Sequence, residues 1–271
     1  MASNKSKTMA QYKMKDFDVS NITFDKLQKN QNGGNFTNLL YNDKKGFSFQ
    51  LPNVVCYGPQ MYPNQQSGQE DWSITVAFRK QDMENDKSIK EAVEKIRELE
   101  EHIKKELLSK SKEYFKTTKK LSMDTIDAYF NPLLKESKDS DGLPDGRQFY
   151  FKIKLSRPKN KETGELLDTF MSDFYVKEKD EKGNRKLLED EEGNSVNTKN
   201  IAQLIPKHSK IKCTIRPGMF WFIGANKCGL SVTINQAVVE PSETYSKVCT
   251  IESSSDEEDN TSDGEDSDSD E

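Results

Sequence analysis

The chain has 271 residues, 32% hydrophobic and 32% charged, with 41 Lys+Arg against 46 Asp+Glu and a formal net charge of −5. Its length suits one domain with insertions or two small ones. No run of about 18 apolar residues occurs, so no transmembrane helix is expected. The polar stretch 1–15 has no apolar segment of the kind a secretory signal needs, so a cytosolic or nuclear setting is expected.

Residues 1–45 are polar, carry a turn at Asn32-Gly33-Gly34, and read as a flexible N-terminal arm. In 46–52, Phe47, Phe49 and Leu51 alternate with polar residues, the period of a half-buried strand. Residues 54–68, rich in Pro, Gly, Asn and Gln, read as a loop. Residues 72–80 are a stronger strand. Trp72, Ile74, Val76 and Phe78 share one face, and Ser73, Thr75, Ala77 and Arg79 the other.

A helix follows over 86–115, because Ile89, Val93, Ile96, Leu99, Ile103 and Leu107 recur at three- and four-residue steps among Lys, Glu and Arg. A shorter helix over 122–134 is broken at Asn131-Pro132, so that 86–135 is a helical insertion. Residues 140–146 (Ser-Asp-Gly-Leu-Pro-Asp-Gly) read as a turn. Leu143 stands where a calcium loop needs an oxygen ligand. Strands then cover 148–156, 169–178, 210–216, 219–223 and 230–239, with a helical turn near 200–204. The fold class expected is mainly β with inserted helices (α+β): a small antiparallel barrel or sandwich.

Signatures of catalysis are missing. The sequence has no phosphate-cradling glycine loop, no nucleophile elbow and no zinc-protease helix. Cys56, Cys213, Cys228 and Cys249 have no metal-type spacing, and His102 and His208 have no triad arrangement near them. No catalytic residue, metal or other cofactor is expected.

Strand alternation sorts the remaining candidates by face. In 149–155, Phe149, Phe151, Ile153 and Leu155 face the core, which turns Tyr150, Lys152 and Lys154 outward. In 210–216, Ile211, Cys213 and Ile215 face the core and Lys210, Lys212, Thr214 and Arg216 face outward. In 174–177 the outward pair is Tyr175 and Lys177. Cations that track phosphates, mixed with rings that stack on bases, are what single-stranded nucleic acid requires. The plainer alternative is an ordinary solvated sheet face. Trp221 stays open between burial and a stacking platform beside Arg216, and Trp72 reads as core.

The last twenty residues hold eleven carboxylates and no Lys or Arg. Removing them from 46 leaves 35 against 41 cations, so a basic body of +6 carries a polyanionic end. Residues 251–271 are expected to be a disordered acidic tail. Asp256, Glu257, Glu258, Asp259, Asp266, Asp268, Asp270 and Glu271 are its candidate contact groups. Ser253, Ser254, Ser255 and Ser262 precede acidic residues, the setting that acid-directed kinases favour.

The segments 46–52, 201–213 (Ile-Ala-Gln-Leu-Ile-Pro-Lys-His-Ser-Lys-Ile-Lys-Cys) and 220–224 (Phe-Trp-Phe-Ile-Gly), in that order and with the tail, carry a family likeness. The chain resembles the single-stranded DNA-binding proteins of large nucleocytoplasmic DNA viruses. These look related to phage replication proteins that join an oligonucleotide-binding (OB) barrel to an acidic tail. The resemblance covers roughly 46–240 plus the tail. It implies a Greek-key barrel with a long helix between strands, a basic and aromatic groove, and a tail that competes with DNA and contacts replication enzymes. The phage tails end in an aromatic residue, whereas this chain ends Asp268-Ser269-Asp270-Glu271, so an identical docking mode is not carried over.

The expectation is therefore a non-enzymatic protein with an OB-fold domain over 46–250. It would bind single-stranded DNA with little sequence preference during viral replication, recombination or repair, through Arg79, Tyr150, Lys152, Lys154, Tyr175, Lys177, Lys210, Lys212, Arg216 and Trp221. The tail would recruit a polymerase, helicase or primase. A homodimer stays open and no membrane partner is expected. The setting would be a cytoplasmic viral factory or the host nucleus, with packaging in the virion also open. The rivals are a histone-chaperone-like interaction module that uses the tail, an RNA-binding regulator on the same barrel, and an unrecognised nuclease.

Overall fold

The computed structural model describes residues 10–29, 34–64 and 68–242. The acidic tail 251–271, Cys249 and the Asn32-Gly33 turn lie outside the described residues. Before the barrel come β1 (Ala10–Lys13), two 3-10 turns (Met14–Asp16 and Val19–Asn21), β2 (Ile22–Phe24), β3 (Gln28–Lys29), β4 (Asn35–Tyr41) and β5 (Phe47–Gln50). Then come β6 (Val54–Pro63) and β7 (Glu70–Arg79), followed by α1 (Lys80–Asn85), α2 (Lys87–Ser109), α3 (Ser111–Tyr114) and α4 (Met123–Tyr129). The rest is β8 (Phe130–Asn131), β9 (Leu134–Lys138), β10 (Pro144–Leu155), β11 (Asp173–Lys179), β12 (Arg185–Leu187), α5 (Ile201–Leu204), β13 (Lys210–Ile223) and β14 (Lys227–Glu240).

Five strands close on themselves in the order β6, β7, β10, β14, β13 and back to β6. Four of the five pairings are antiparallel, and β10 meets β14 in parallel at Lys154↔Thr233. Within the barrel the first strand joins the second and the fourth, and the third and fifth close it. This topology is consistent with a Greek-key oligonucleotide-binding barrel. Ile74, Val76, Phe78, Phe151, Ile153, Ile211 and Ile215 fill it and are buried. Full burial of each such side chain contributes about 1.5–3 kcal/mol.

Two β-bulges decide which side chains face out. In β6 an extra residue lies between Cys56 and Pro59, where Gly58 takes a positive φ of 73°. Cys56 points inward, and without the bulge Gln60 and Tyr62 would share its side. With the bulge they turn outward. Of the segment expected as a loop over 54–68, Val54–Pro63 is therefore a barrel strand. Its Pro and Gly mark the bulge, where a missing N–H and a left-handed backbone are tolerated. In β13 the register shifts between Pro217 and Phe220, so the two strands expected at 210–216 and 219–223 form one. The shift sends Phe220 and Phe222 into the core and leaves Trp221 on the outer side.

Residues 10–29 and 34–45, expected as a flexible arm, instead add to the core. β1 pairs with β5, and β4 pairs with β13. Met14, Phe17, Val19, Ile22, Leu39 and Tyr41 are buried, and Phe17 stacks on Tyr41 and Phe49 at 5.2 Å each. These apolar residues are spread singly among polar ones, so local periodicity does not reveal them.

The apolar stripe of the helical insertion packs as expected, with Ile89, Val93, Ile96, Leu99, Ile103 and Leu107 all buried. The shorter helix expected over 122–134 instead ends at Tyr129, and β8 and β9 take up Phe130–Asn131 and Leu134–Lys138. Asp86 caps α2 by accepting from the Ser88 amide at 2.8 Å. Glu100, on the buried side of α2, accepts from the amides of Leu133 and Leu134 and so ties the helix to the start of β9. Burial raises the Glu100 carboxyl above its ordinary range, partly offset by those two amides and Lys104. Residues 140–143 form a turn, as expected, with Asp139 accepting from the amides of Asp141 and Leu143, whereas 144–146 of the expected turn instead begin β10.

Candidate nucleic-acid interface

The outer surface of β6, β7 and β10 mixes rings, amides and cations. Register places Lys152 beside Thr75 and Lys154 beside Ser73, and Gln60 flanks Ser73 from β6. The Lys152 ammonium lies 3.6 Å from the centre of the Tyr62 ring. The Tyr62 hydroxyl donates to Gln60 Oε1 at 2.6 Å, and Thr75 donates to the same oxygen at 3.3 Å. Tyr62 is 42% exposed, so its ring is held in place while remaining open to solvent. Burial first, and Lys154 second, lower the Lys152 ammonium pKa, with Asp71 acting in the opposite direction. A cation in that state gains from a nearby phosphate.

Farther along the same face, Tyr57 and Tyr150 lie 5.6 Å apart, and His208 meets Tyr57 edge-on at 5.7 Å. Gln148 joins the two tyrosines. It accepts from the Tyr57 hydroxyl at 3.1 Å and donates to the Tyr150 hydroxyl at 2.6 Å. Arg79, at the end of β7, is forked onto Asp82 at 2.6 and 3.1 Å, which raises its pKa. A phosphate there must compete with that carboxylate.

Across the parallel seam, Lys154, Thr233 and Arg216 fall in one row, so Arg216 is two strand spacings, roughly 10 Å, from Lys154. Trp221 lies farther along β13. Its indole is half-buried and covers Gly229 of β14, where an added Cβ would meet the ring at 2.5 Å. The open choice for Trp221 thus becomes an outward ring on a glycine seat.

The other candidates form a second group. Tyr175 and Lys212 line a pocket of about 430 Å³ with Arg185. Burial and Asp173 raise the Tyr175 pKa. Lys177 pairs with Glu240 at 3.6 Å on the surface, an interaction of at most about 1 kcal/mol. Lys210 pairs in register with Val55 and with Glu240, three strands away from Tyr150. The outward side chains of three strands thus separate into a Tyr150–Lys152–Lys154–Arg216 group and a Tyr175–Lys212 group, with Arg79, Lys177, Lys210 and Trp221 around them.

Sequence reading missed Tyr57, Gln60, Tyr62, His208 and Arg185. The signal available for the first three was the alternation of Tyr57 with Val55 before Gly58, and of Gln60 with Tyr62 after it. Cys56, Cys213 and Cys228 are buried thiols, and burial pushes the Cys213 and Cys228 pKa values up to about 12. Among the described residues no group of three or more His, Cys, Asp or Glu side chains is placed to hold a metal ion.

No protein-family model matches the chain, and no curated protein matches it. Among solved structures, it is similar to a single-stranded DNA-binding protein from bacteriophage Enc34 in complex with ssDNA. That likeness has 16% identity and a TM-score of 0.39 and covers 80% of this chain and 96% of the other. It is also similar to gp2.5, a single-stranded DNA-binding protein encoded by bacteriophage T7, at 15% identity and a TM-score of 0.40, over 76% and 97%. A further Enc34 structure has 16% identity and a TM-score of 0.38, over 85% and 98%.

Proposed function

We propose that this chain is a non-enzymatic protein that binds single-stranded DNA on the outer face of its barrel. The observation that carries the reading is the Tyr62–Lys152 pair, an exposed ring and a partly desolvated cation 3.6 Å apart, continued by Tyr150, Lys154 and Arg216. Bases stack on Tyr62 and Tyr150, and phosphates run along Lys152, Lys154 and Arg216. Each stacked base contributes about 1–3 kcal/mol with little preference among bases. The strand order, consistent with an OB barrel, supports the same reading.

The finer reading is a role in viral DNA replication, recombination or repair, in a cytoplasmic factory or the nucleus. The acidic segment 251–271 competes with DNA for the basic body and recruits replication proteins. That part rests on the charge split of the sequence and on its resemblance to the viral family.

The test is fluorescence anisotropy of a labelled oligo-dT with the full chain and with a chain ending at Ile251, over a salt series, with oligo-rU as competitor. Tight, salt-sensitive binding that strengthens on truncation is expected. If neither form binds, the reading is overturned, and capture of basic proteins by 251–271 becomes the role to test. Stronger competition by oligo-rU than by oligo-dT would move the same face to RNA.

A further inference from the structure

The pocket between β11, β12 and β13 lies off the proposed DNA face. Tyr175, Arg185 and Lys212 line it together with Gln50, Asn184 and Thr214. Its lining holds two cations, one ring and several neutral polar groups, and no carboxylate. The Arg185 guanidinium is positioned by donating to the Lys177 carbonyl at 2.8 Å. Tyr175 stands over Val238 by parallel pairing, while its neighbour Phe174 is buried. The nearby carboxylates are Asp173, beside Tyr175 on β11, Asp180, which accepts from the Asn184 amide at 2.8 Å, and Glu240, which is engaged by Asn53 at 3.1 Å and Lys177 at 3.6 Å.

The pocket connects to the proposed face along one strand. Lys212, Thr214 and Arg216 share the outer row of β13, because Ile211, Cys213 and Ile215 are buried on the other side. Lys212 and Arg216 are four steps apart along the strand, roughly 13 Å. Arg216 is in turn aligned with Thr233 and Lys154. A row of cations therefore runs from Tyr62 and Lys152 over the parallel seam and down β13 into the pocket.

We infer that this pocket is a second nucleotide-binding site, which takes one nucleotide of the strand held on the barrel face. Its base stacks on Tyr175 and its phosphate sits between Arg185 and Lys212. The inference rests on the proposed DNA reading and adds a length requirement to it. Only a strand long enough to cross from Lys152 over Arg216 reaches the pocket.

The experiment measures affinity of the full chain for a ladder of labelled oligo-dT of roughly 4 to 16 nucleotides, the range of site sizes for single OB barrels. The wild type is compared with Tyr175→Leu/Arg185→Gln, with Arg185→Gln/Lys212→Gln, and with the face variant Tyr62→Ala/Lys152→Ala. Wild-type affinity is expected to step up once the strand reaches the pocket. Both pocket variants should lose that step, weakening long oligonucleotides about tenfold while leaving the shortest unchanged. The face variant should weaken every length. Equal effects of the pocket variants on all lengths, no effect, or tighter binding would overturn the pocket, the last being the result if carboxylates of 252–271 occupy it. No wild-type binding at any length overturns the DNA reading itself. The altered residues are surface groups, and unchanged melting of each variant establishes that the losses are local.

Discussion

At the scale of single residues, Lys152 and Gly229 give the sharpest tests. The Lys152 pKa is lowered in the free protein, and a bound phosphate raises it. Binding is then favoured below the free-state pKa, where the ammonium is already charged. It weakens as pH rises through that value toward the bound-state one. Lys152→Arg keeps its charge at every accessible pH, so it should retain affinity on the alkaline side where the wild type loses it. Parallel pH profiles of the two would remove Lys152 from the contact. Gly229 acts through Trp221, since a methyl group at 229 needs the space the indole fills. Gly229→Ala should leave the fold intact, shift the Trp221 emission, measured with Trp72→Phe as background, and weaken long oligonucleotides. Unchanged emission and affinity would show that the indole is not seated as described.

At the scale of elements, the helical insertion is held to the barrel by one carboxylate as well as by its apolar stripe. Glu100→Ala leaves the Leu133 and Leu134 amides without their acceptor and should cost about 1–3 kcal/mol in denaturant melts. The pH dependence has a definite sign. The folded Glu100 pKa lies above the ordinary 4.5, so the folded state binds the proton more tightly than the unfolded chain. That contribution is fully present below 4.5 and is lost as pH rises through the raised value. Glu100→Gln offers an uncharged acceptor to both amides, so its stability should not fall over that window. If both proteins show the same slope, the carboxyl is not buried as described. The bulges are the other decisive small elements. Gly58 and the Pro217-Gly218 step each invert the alternation after them, and so bring Tyr62 and Trp221 to the surface.

At the scale of the whole molecule, a basic body and an acidic end make DNA affinity depend on ionic strength. Each phosphate contact to a single strand contributes about 0.7 to the slope of log affinity against log salt. Lys152→Ala with Lys154→Ala should therefore raise the dissociation constant and flatten the slope by about 1.4. An unchanged slope would take β10 out of the binding face.

Composition and periodicity by themselves determined the β-rich class, the α2 stripe from Ile89 to Leu107 and the outward Tyr150, Lys152 and Lys154. They also gave the contrast between a basic body and an acidic end. Each of these is a local property of period 2 or 3.6, or a plain sum of charges. Only the tertiary structure decided that 54–63 is a barrel strand, that residues 10–29 and 34–45 join the core, and that Tyr62 sits over Lys152. It also decided that Arg185 meets Tyr175 and Lys212. A bulge inverts alternation without a signature as plain as an apolar stripe, and the packing of an arm or the lining of a pocket joins residues far apart in the chain. The physical reason is that strand alternation assigns a side, whereas neighbours on that side are set by register and barrel closure, which depend on the whole chain.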